Sequence, residues 1–113
     1  MTLKQIITLL KTTGYPVAYD HFPNAVPSVP YIGFRMTGTN NVFSDDHVHK
    51  QIAEFELELC TTTKNPAEEK VLTDILDANN ICWELVSETY IDDDKVYSLI
   101  YNFTEVYEYG ESS

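Results

Sequence analysis

Basic residues are scarce in this 113-residue chain. Lysine and arginine together number 7, against 18 aspartates and glutamates, which gives a formal net charge of −11. Binding to nucleic acid or to an anionic membrane depends on basic side chains that neutralise phosphate groups. The composition therefore argues against nucleic-acid binding and against membrane association.

Cysteine and glycine are also rare, and the apolar runs are short. Cys60 and Cys82 lack the spacing of a metal site or redox motif, so we expect two reduced thiols in the core. The four glycines are scattered, which leaves no glycine-rich loop to hold a phosphate. The apolar segment 6–10 is too short and wrongly flanked for a signal peptide, which predicts a soluble protein made in the cytoplasm.

The chain does contain enough apolar material for one core. Hydrophobic residues make up 43% of the sequence, including eight tyrosines and five phenylalanines. A chain of this length has the usual size of one domain and can bury roughly two thirds of its unfolded surface. We expect a single domain over residues 1–113, with residues 110–113 frayed.

Two segments have the apolar spacing of amphipathic helices. The first runs from a capping box at Thr2 to Lys11. The second begins after the cap Asn65, with Pro66 in its first turn, and ends at residues 79–80. The stripes expected to face the core are Leu3, Ile6, Ile7 and Leu10 in the first helix and Val71, Leu72, Ile75 and Leu76 in the second.

Five segments are typical of β-strands. In the clearest, 53–59, apolar residues alternate with glutamates, and this period of two turns one face to a core and the other to water. The remaining strands are expected at 17–22, 31–36, 82–90 and 96–106, with a loop at 23–30, a polar loop at 37–48 and an acidic hairpin turn at 92–94. The order predicts an α+β fold, a mostly antiparallel sheet with two helices packed on one face.

Catalytic and metal-binding patterns are weak. Asp45, Asp46, His47 and His49 form the best metal-like cluster, but no separate ligand motif supports it, and such residues are common on solvated loops. No serine lies in a nucleophile-elbow sequence. We therefore expect no enzyme activity, no cofactor and no bound metal.

One pattern of core and turn residues extends along most of the chain. It is made up of Tyr19, 30–32, 45–46, 55–61, 68–76, 88–91 and 97–103. Across residues 15–104 this pattern resembles the short tail-completion proteins of Gram-positive siphophages and prophages, in the tail-terminator and head-tail joining group. The chain departs from it by Cys60, where tyrosine is frequent, and by His47 and His49.

The resemblance implies an α+β structural subunit without catalytic residues. Such subunits form a ring, here expected to be a hexamer, that stops growth of the tail tube and joins the tail to the capsid. The expected partners are further copies of the chain, the tail-tube protein and a head-completion protein, while DNA passes without specific binding. The expected location is the virion tail, after assembly in the host cytoplasm and without a membrane.

Candidate interface residues follow from charge and exposure. Phe43 is an isolated aromatic residue in the polar loop, which favours a contact with another subunit. Asp45 and Asp46 could pair with Arg35 or Lys64 of the next subunit.

The acidic surface has two interpretations. Glu54, Glu56 and Glu58 form an outward row that could only discourage association between sheets, or could face passing DNA or a basic protein partner. The alternative function is an acidic inhibitor or DNA mimic that occupies a nucleic-acid-binding protein of the host. An enzyme or metal protein is a third possibility and depends only on the loop with His47 and His49.

Overall fold

The computed structural model describes residues 3–19, 29–44, 47–93 and 95–107, with side chains at 40–51 and 106–107 outside the description. Neither helix within these ranges is long and apolar enough to cross a membrane. The elements in chain order are α1 (Leu3–Lys11), β1 (Val17–Tyr19), β2 (Tyr31–Ser44), β3 (His47–Thr61), α2 (Pro66–Ala78), β4 (Trp83–Ile91) and β5 (Val96–Tyr107).

The strands form one sheet in the order β1-β2-β3-β5-β4. β1 runs parallel to β2, and the other three pairs of neighbours are antiparallel. Buried residues of both helices belong to one apolar cluster with a single face of this sheet. The prediction of an α+β fold with a mostly antiparallel sheet is confirmed.

Helix α1 ends at Lys11, and Gly14 forms the turn that follows it. Ile6 and Leu10 are buried on its inner side, while Leu3 and Ile7 are half-buried against the core. The Gly14 N–H donates to the Lys11 carbonyl at 3.1 Å, and Gly14 has a φ of +85°. That backbone conformation is unfavourable for a residue with a Cβ atom, so glycine terminates the helix here.

Helix α2 is closed at both ends by asparagine. The side chain of Asn65 accepts a hydrogen bond from the Ala67 N–H at 3.0 Å. At the other end Asn80 adopts a φ of 58°, and the Ile81 N–H donates to the Leu76 carbonyl at 2.9 Å. This is the Schellman arrangement, with asparagine in the left-handed position that glycine usually takes.

The buried side of α2 is narrower than the sequence predicted. Leu72 and Leu76 are buried, but Val71 is 38% exposed and Ile75 is only half-buried. The helix therefore contacts the sheet through one row at i and i+4.

Aromatic side chains fill the space between the helices and the sheet. The ring of Phe55 on β3 lies between Phe34 on β2 and Phe103 on β5, with centroid distances of 6.1 and 5.2 Å. Trp83 on β4 meets Tyr101 edge to face at 5.5 Å. These contacts join four adjacent strands into one core, because each ring meets one on the neighbouring strand.

The prediction of a polar loop at 37–48 is wrong. β2 continues through Ser44, β3 begins at His47, and their residues pair from Gly38–Glu54 to Ser44–His47. Register shifts after Met36 and after Val42 keep the two strands paired through this stretch. Glycine and asparagine are poor strand formers, so the sequence of β2 predicted a loop here. The strand is formed by pairing with β3, which carries the clearer alternating pattern.

Other boundaries differ less. The first strand is three residues long, and the part of it expected at 20–22 lies outside the described residues. The loop expected at 23–30 also lies outside them, except for Val29 and Pro30, as do the frayed end at 110–113 and Thr2 of the capping box. The thiol of Cys82 is exposed, which corrects the expectation of two core cysteines, whereas Cys60 is buried.

Replacing Leu57 by alanine should lower the free energy of unfolding by about 2–5 kcal/mol. Leu57 is fully buried in the central strand, so the substitution leaves a cavity that its neighbours cannot fill. The matched control is Glu56→Gln on the opposite face, which should cost under about 1 kcal/mol. Chemical denaturation measures both, and equal losses would contradict the strand register.

Candidate interaction surfaces

The face of the sheet opposite the helices carries the glutamate row. Glu54 is exposed, and Glu56 and Glu58 are half-buried on β3. Carboxylates two residues apart on one strand face lie about 7 Å from each other. The pairing register also places Glu84 of β4 opposite Asn102 of β5, and Asn102 opposite Glu56, so the acidic surface extends to the edge of the sheet.

Two cross-strand contacts interrupt this row. The Arg35 Nη2 atom on β2 lies 3.4 Å from Glu56 Oε1, and the Ser98 hydroxyl on β5 donates to Glu58. The guanidinium side chain is 56% exposed, so its pair with Glu56 is a weak surface ion pair. The Arg35 guanidinium therefore remains partly exposed to solvent beside Glu56.

Lys64 links the loop after β3 to two other elements. Its ammonium group lies 3.0 Å from Glu69 on α2 and also contacts Glu88 on β4. The hydrogen bonds that the Lys64 ammonium donates to Glu88 and, with a smaller effect, to Glu69 raise the pKa of Lys64. Lys64 was expected to contact the next subunit, but its charge is engaged by two carboxylates of its own chain.

Tyr101 lies near this cluster in the buried core. Burial of the phenol, with a smaller effect from the Glu69 carboxylate, raises the pKa of Tyr101 to about 12. Its neutral form is therefore held in the folded protein across the pH range in which an exposed tyrosine ionises.

The other residues predicted for the subunit interface lie at the end of the long hairpin. Phe43 belongs to β2, and its backbone pairs with Val48 of β3, so it is part of a strand and not of a loop. Its side chain lies outside the described residues, as do Asp45 and Asp46 entirely. A subunit contact at these residues stays a prediction.

The predicted metal cluster falls on the same part of the chain. His47 and His49 belong to β3, with side chains outside the described residues. Within the ranges that the structure describes, no group of three or more potential metal-binding side chains comes together.

The edges of the sheet are the alternative subunit contact if Phe43 is not in the interface, and the sequence did not predict which strands form them. β1 and β4 are the outermost strands of the described sheet. On β4, Leu85, Val86 and Tyr90 are 43%, 47% and 46% exposed. Glu84 and Glu88 on the same strand are charges of the kind that discourage pairing with another chain, but three exposed apolar side chains on one edge indicate an interaction surface.

No protein-family model matches this chain, and no curated protein matches it significantly. Its surfaces and its sequence pattern are therefore the basis for a functional proposal.

Stability should fall as the pH rises from about 10 to 12. The raised pKa of Tyr101 contributes stability that is complete below the unfolded-state pKa near 10 and is lost as the phenol ionises in the folded state. The raised pKa of Lys64 acts in the same direction. Denaturant titrations at pH 9, 10.5 and 11.5 should show a smaller loss in Tyr101→Phe than in the unsubstituted protein.

The control is Tyr90→Phe, because Tyr90 is 46% exposed. This variant should retain the full alkaline loss. If Tyr101→Phe and Tyr90→Phe behave alike, burial of the Tyr101 phenol is not a cause of the pH dependence.

Proposed function

We propose that this chain is a ring-forming structural subunit of a phage tail, a tail terminator at the head-tail joint. The observation that carries the proposal is a sheet with helices on one face and an acidic row on the other. The resemblance of residues 15–104 to tail-completion proteins supports the same assignment. The work of such a subunit is done by surfaces and needs no catalytic group.

In the proposed ring, the glutamate face lines the central channel and the helices lie outside. Glu54, Glu56, Glu58 and Glu84 then meet the phosphates of DNA in transit. A channel wall of the same sign as its cargo disfavours adsorption, because each phosphate is repelled and no counterions are released by contact. The net charge of −11 per chain is consistent with this role.

The hairpin of β2 and β3 supplies a second contact region. Between Val42–Lys50 and Ser44–His47, the two strands pair with each other and with no third strand of the described chain. An extension of this kind can reach an adjacent subunit, the tail-tube protein or the head-completion protein. Phe43, close to its end, is the residue that we propose for such a contact.

The purified chain should assemble into closed rings of six copies with a central channel. Native mass spectrometry and negative-stain electron microscopy test this directly, and Phe43→Ala should lower the oligomer fraction without changing the circular dichroism of the monomer. A chain that stays monomeric or dimeric at all accessible concentrations, alone and with a tail-tube protein, would contradict the proposal.

Replacing Glu54, Glu56 and Glu58 together by glutamine should leave the ring intact but increase its retention of DNA. The substitutions keep side-chain size and remove three negative charges per subunit from the proposed channel wall. The control replaces three carboxylates on α2 by the corresponding amides, at Asp74, Asp77 and Glu68. The proposal places this helix outside the channel. Co-sedimentation with double-stranded DNA at low salt measures how much DNA each variant retains. Equal DNA retention by both variants would contradict the proposal that the glutamate face lines the channel.

The same glutamate row favours one alternative, an acidic inhibitor that mimics DNA. Against it, Arg35 pairs with Glu56 in the middle of the row and reduces its charge. Titration against a non-specific DNA-binding protein at several salt concentrations separates the two functions. The tail-terminator proposal predicts no tight, salt-sensitive complex, and the inhibitor predicts one that DNA displaces.

A further inference from the structure

We infer that neighbouring copies of this chain join edge to edge, with β4 of one copy pairing with β1 of the next. The sheet then continues around the ring, so the inference rests on the proposed function and identifies its subunit interface. Each copy contributes one edge of each kind, which makes the contact head-to-tail. Such contacts close into a ring when the rotation between copies is a fraction of a full turn.

Strand direction allows this pairing. β2 and β5 run one way, β3 and β4 run the other way, and β1 follows β2. Copies related by an axis along the strands keep these directions, so β4 meets the β1 of its neighbour in an antiparallel orientation. No strand of the described residues covers the outer side of either edge.

The exposed apolar side chains on the two edges lie at the same level along the strand direction. Tyr19 on β1 and Leu85 on β4 lie in one row across the sheet, connected through Phe34, Leu57 and Tyr101. Tyr19 is 38% exposed and Leu85 is 43% exposed. When copies associate without a shift along the axis, these two side chains become neighbours, and each removes apolar surface of the other from water.

Charge is also complementary between the edges. On the β1 side, residues 3–19 contain Lys4 and Lys11, both exposed, and no acidic residue. The edge at β4 continues into the exposed acidic turn at 92–93; of its two glutamates, Glu88 is already paired with Lys64 and Glu84 lies on the glutamate face. A head-to-tail contact brings opposite signs together, which offsets the repulsion between subunits of net charge −11. A two-fold contact of β4 with itself would instead oppose like charges.

The dimensions of such a ring suit a DNA channel. Five strands at about 4.8 Å spacing contribute about 24 Å of circumference per copy, so six copies give a sheet cylinder about 46 Å across. The glutamate face on its inner side leaves a passage wider than a DNA duplex.

Cysteine pairs can trap this interface. Ala18 and Ser87 lie in one row across the sheet, through Gly33, Glu58 and Ile100. This row is next to that of Tyr19 and Leu85, because the register shift between Leu85 and Ser87 leaves Val86 unpaired, so Ala18 and Ser87 become opposite neighbours when β1 meets β4. Opposite residues of antiparallel strands have Cβ atoms about 4.5–5.5 Å apart, close to the distance that a disulfide bridges. The test protein carries Ala18→Cys and Ser87→Cys, with Cys82→Ser to remove the exposed native thiol.

Mild oxidation should convert the double variant into a ladder of covalent oligomers that ends at the closed ring. Each single variant should give less than a tenth of that cross-linked material. Dimers from Ser87→Cys alone would overturn the inference in favour of a two-fold β4 contact. Rings in the mass spectrum without cross-linking of the double variant would also overturn it, while leaving the proposed ring function in place. Failure to form any oligomer would contradict both.

A second variant does not depend on disulfide geometry. Leu85→Arg places a charge in the proposed contact and should weaken self-association at least tenfold in sedimentation analysis. Val71→Arg is the control, because Val71 is similarly exposed but lies on α2. Both variants should retain the circular dichroism of the folded chain. Equal weakening, or none in Leu85→Arg, would remove β4 from the interface.

Discussion

The fold depends on the register of β3, the central strand of the sheet. Its period-two pattern buries Phe55, Leu57 and Leu59 and directs Glu54, Glu56 and Glu58 to the opposite face. A shift of one residue would exchange the two sets and place carboxylates under the helices. Burying an unpaired carboxylate is far more costly than losing an apolar contact, so the pattern fixes the register of the neighbouring strands as well.

The two faces of the sheet therefore have different roles. One face is closed by α1, α2 and a row of aromatic rings, and its stability comes from apolar burial. The other is polar, and two of its carboxylates have a partner on a neighbouring strand, Glu56 with Arg35 and Glu58 with Ser98. A subunit built this way can present an acidic surface without weakening its core, because the alternation of a strand separates the two requirements.

Local signals explain most of what the sequence predicted. The alternation at 53–59, the cap at Asn65 and the asparagine pair at 79–80 each depend on a few adjacent residues, and the structure has each where expected. The continuation of β2 through Gly38 and Asn40 could not be predicted, because its stability comes from pairing with a partner strand and not from its own propensity.

Nonlocal arrangement accounts for what the sequence did not predict about the candidate surfaces. Which strands lie at the edges depends on β5 inserting between β3 and β4, an order that no local pattern encodes. The exposure of Cys82 and the partners of Lys64 follow from the same packing. Charge and exposure predicted an acidic interaction protein, and only the strand order identified where the apolar edge residues meet water.

The contacts of Lys64 have a consequence for how readily β4 can accept another strand. The Lys64 side chain contacts Glu69 at the start of α2 and Glu88 on β4, and so connects the edge strand to the helix. Two residues further along β4, on the same face, the ring of Tyr90 packs against Tyr97 on β5 at a centroid distance of 5.0 Å. An edge held in place before its partner arrives loses little conformational entropy on association, so more of the contact free energy remains as affinity.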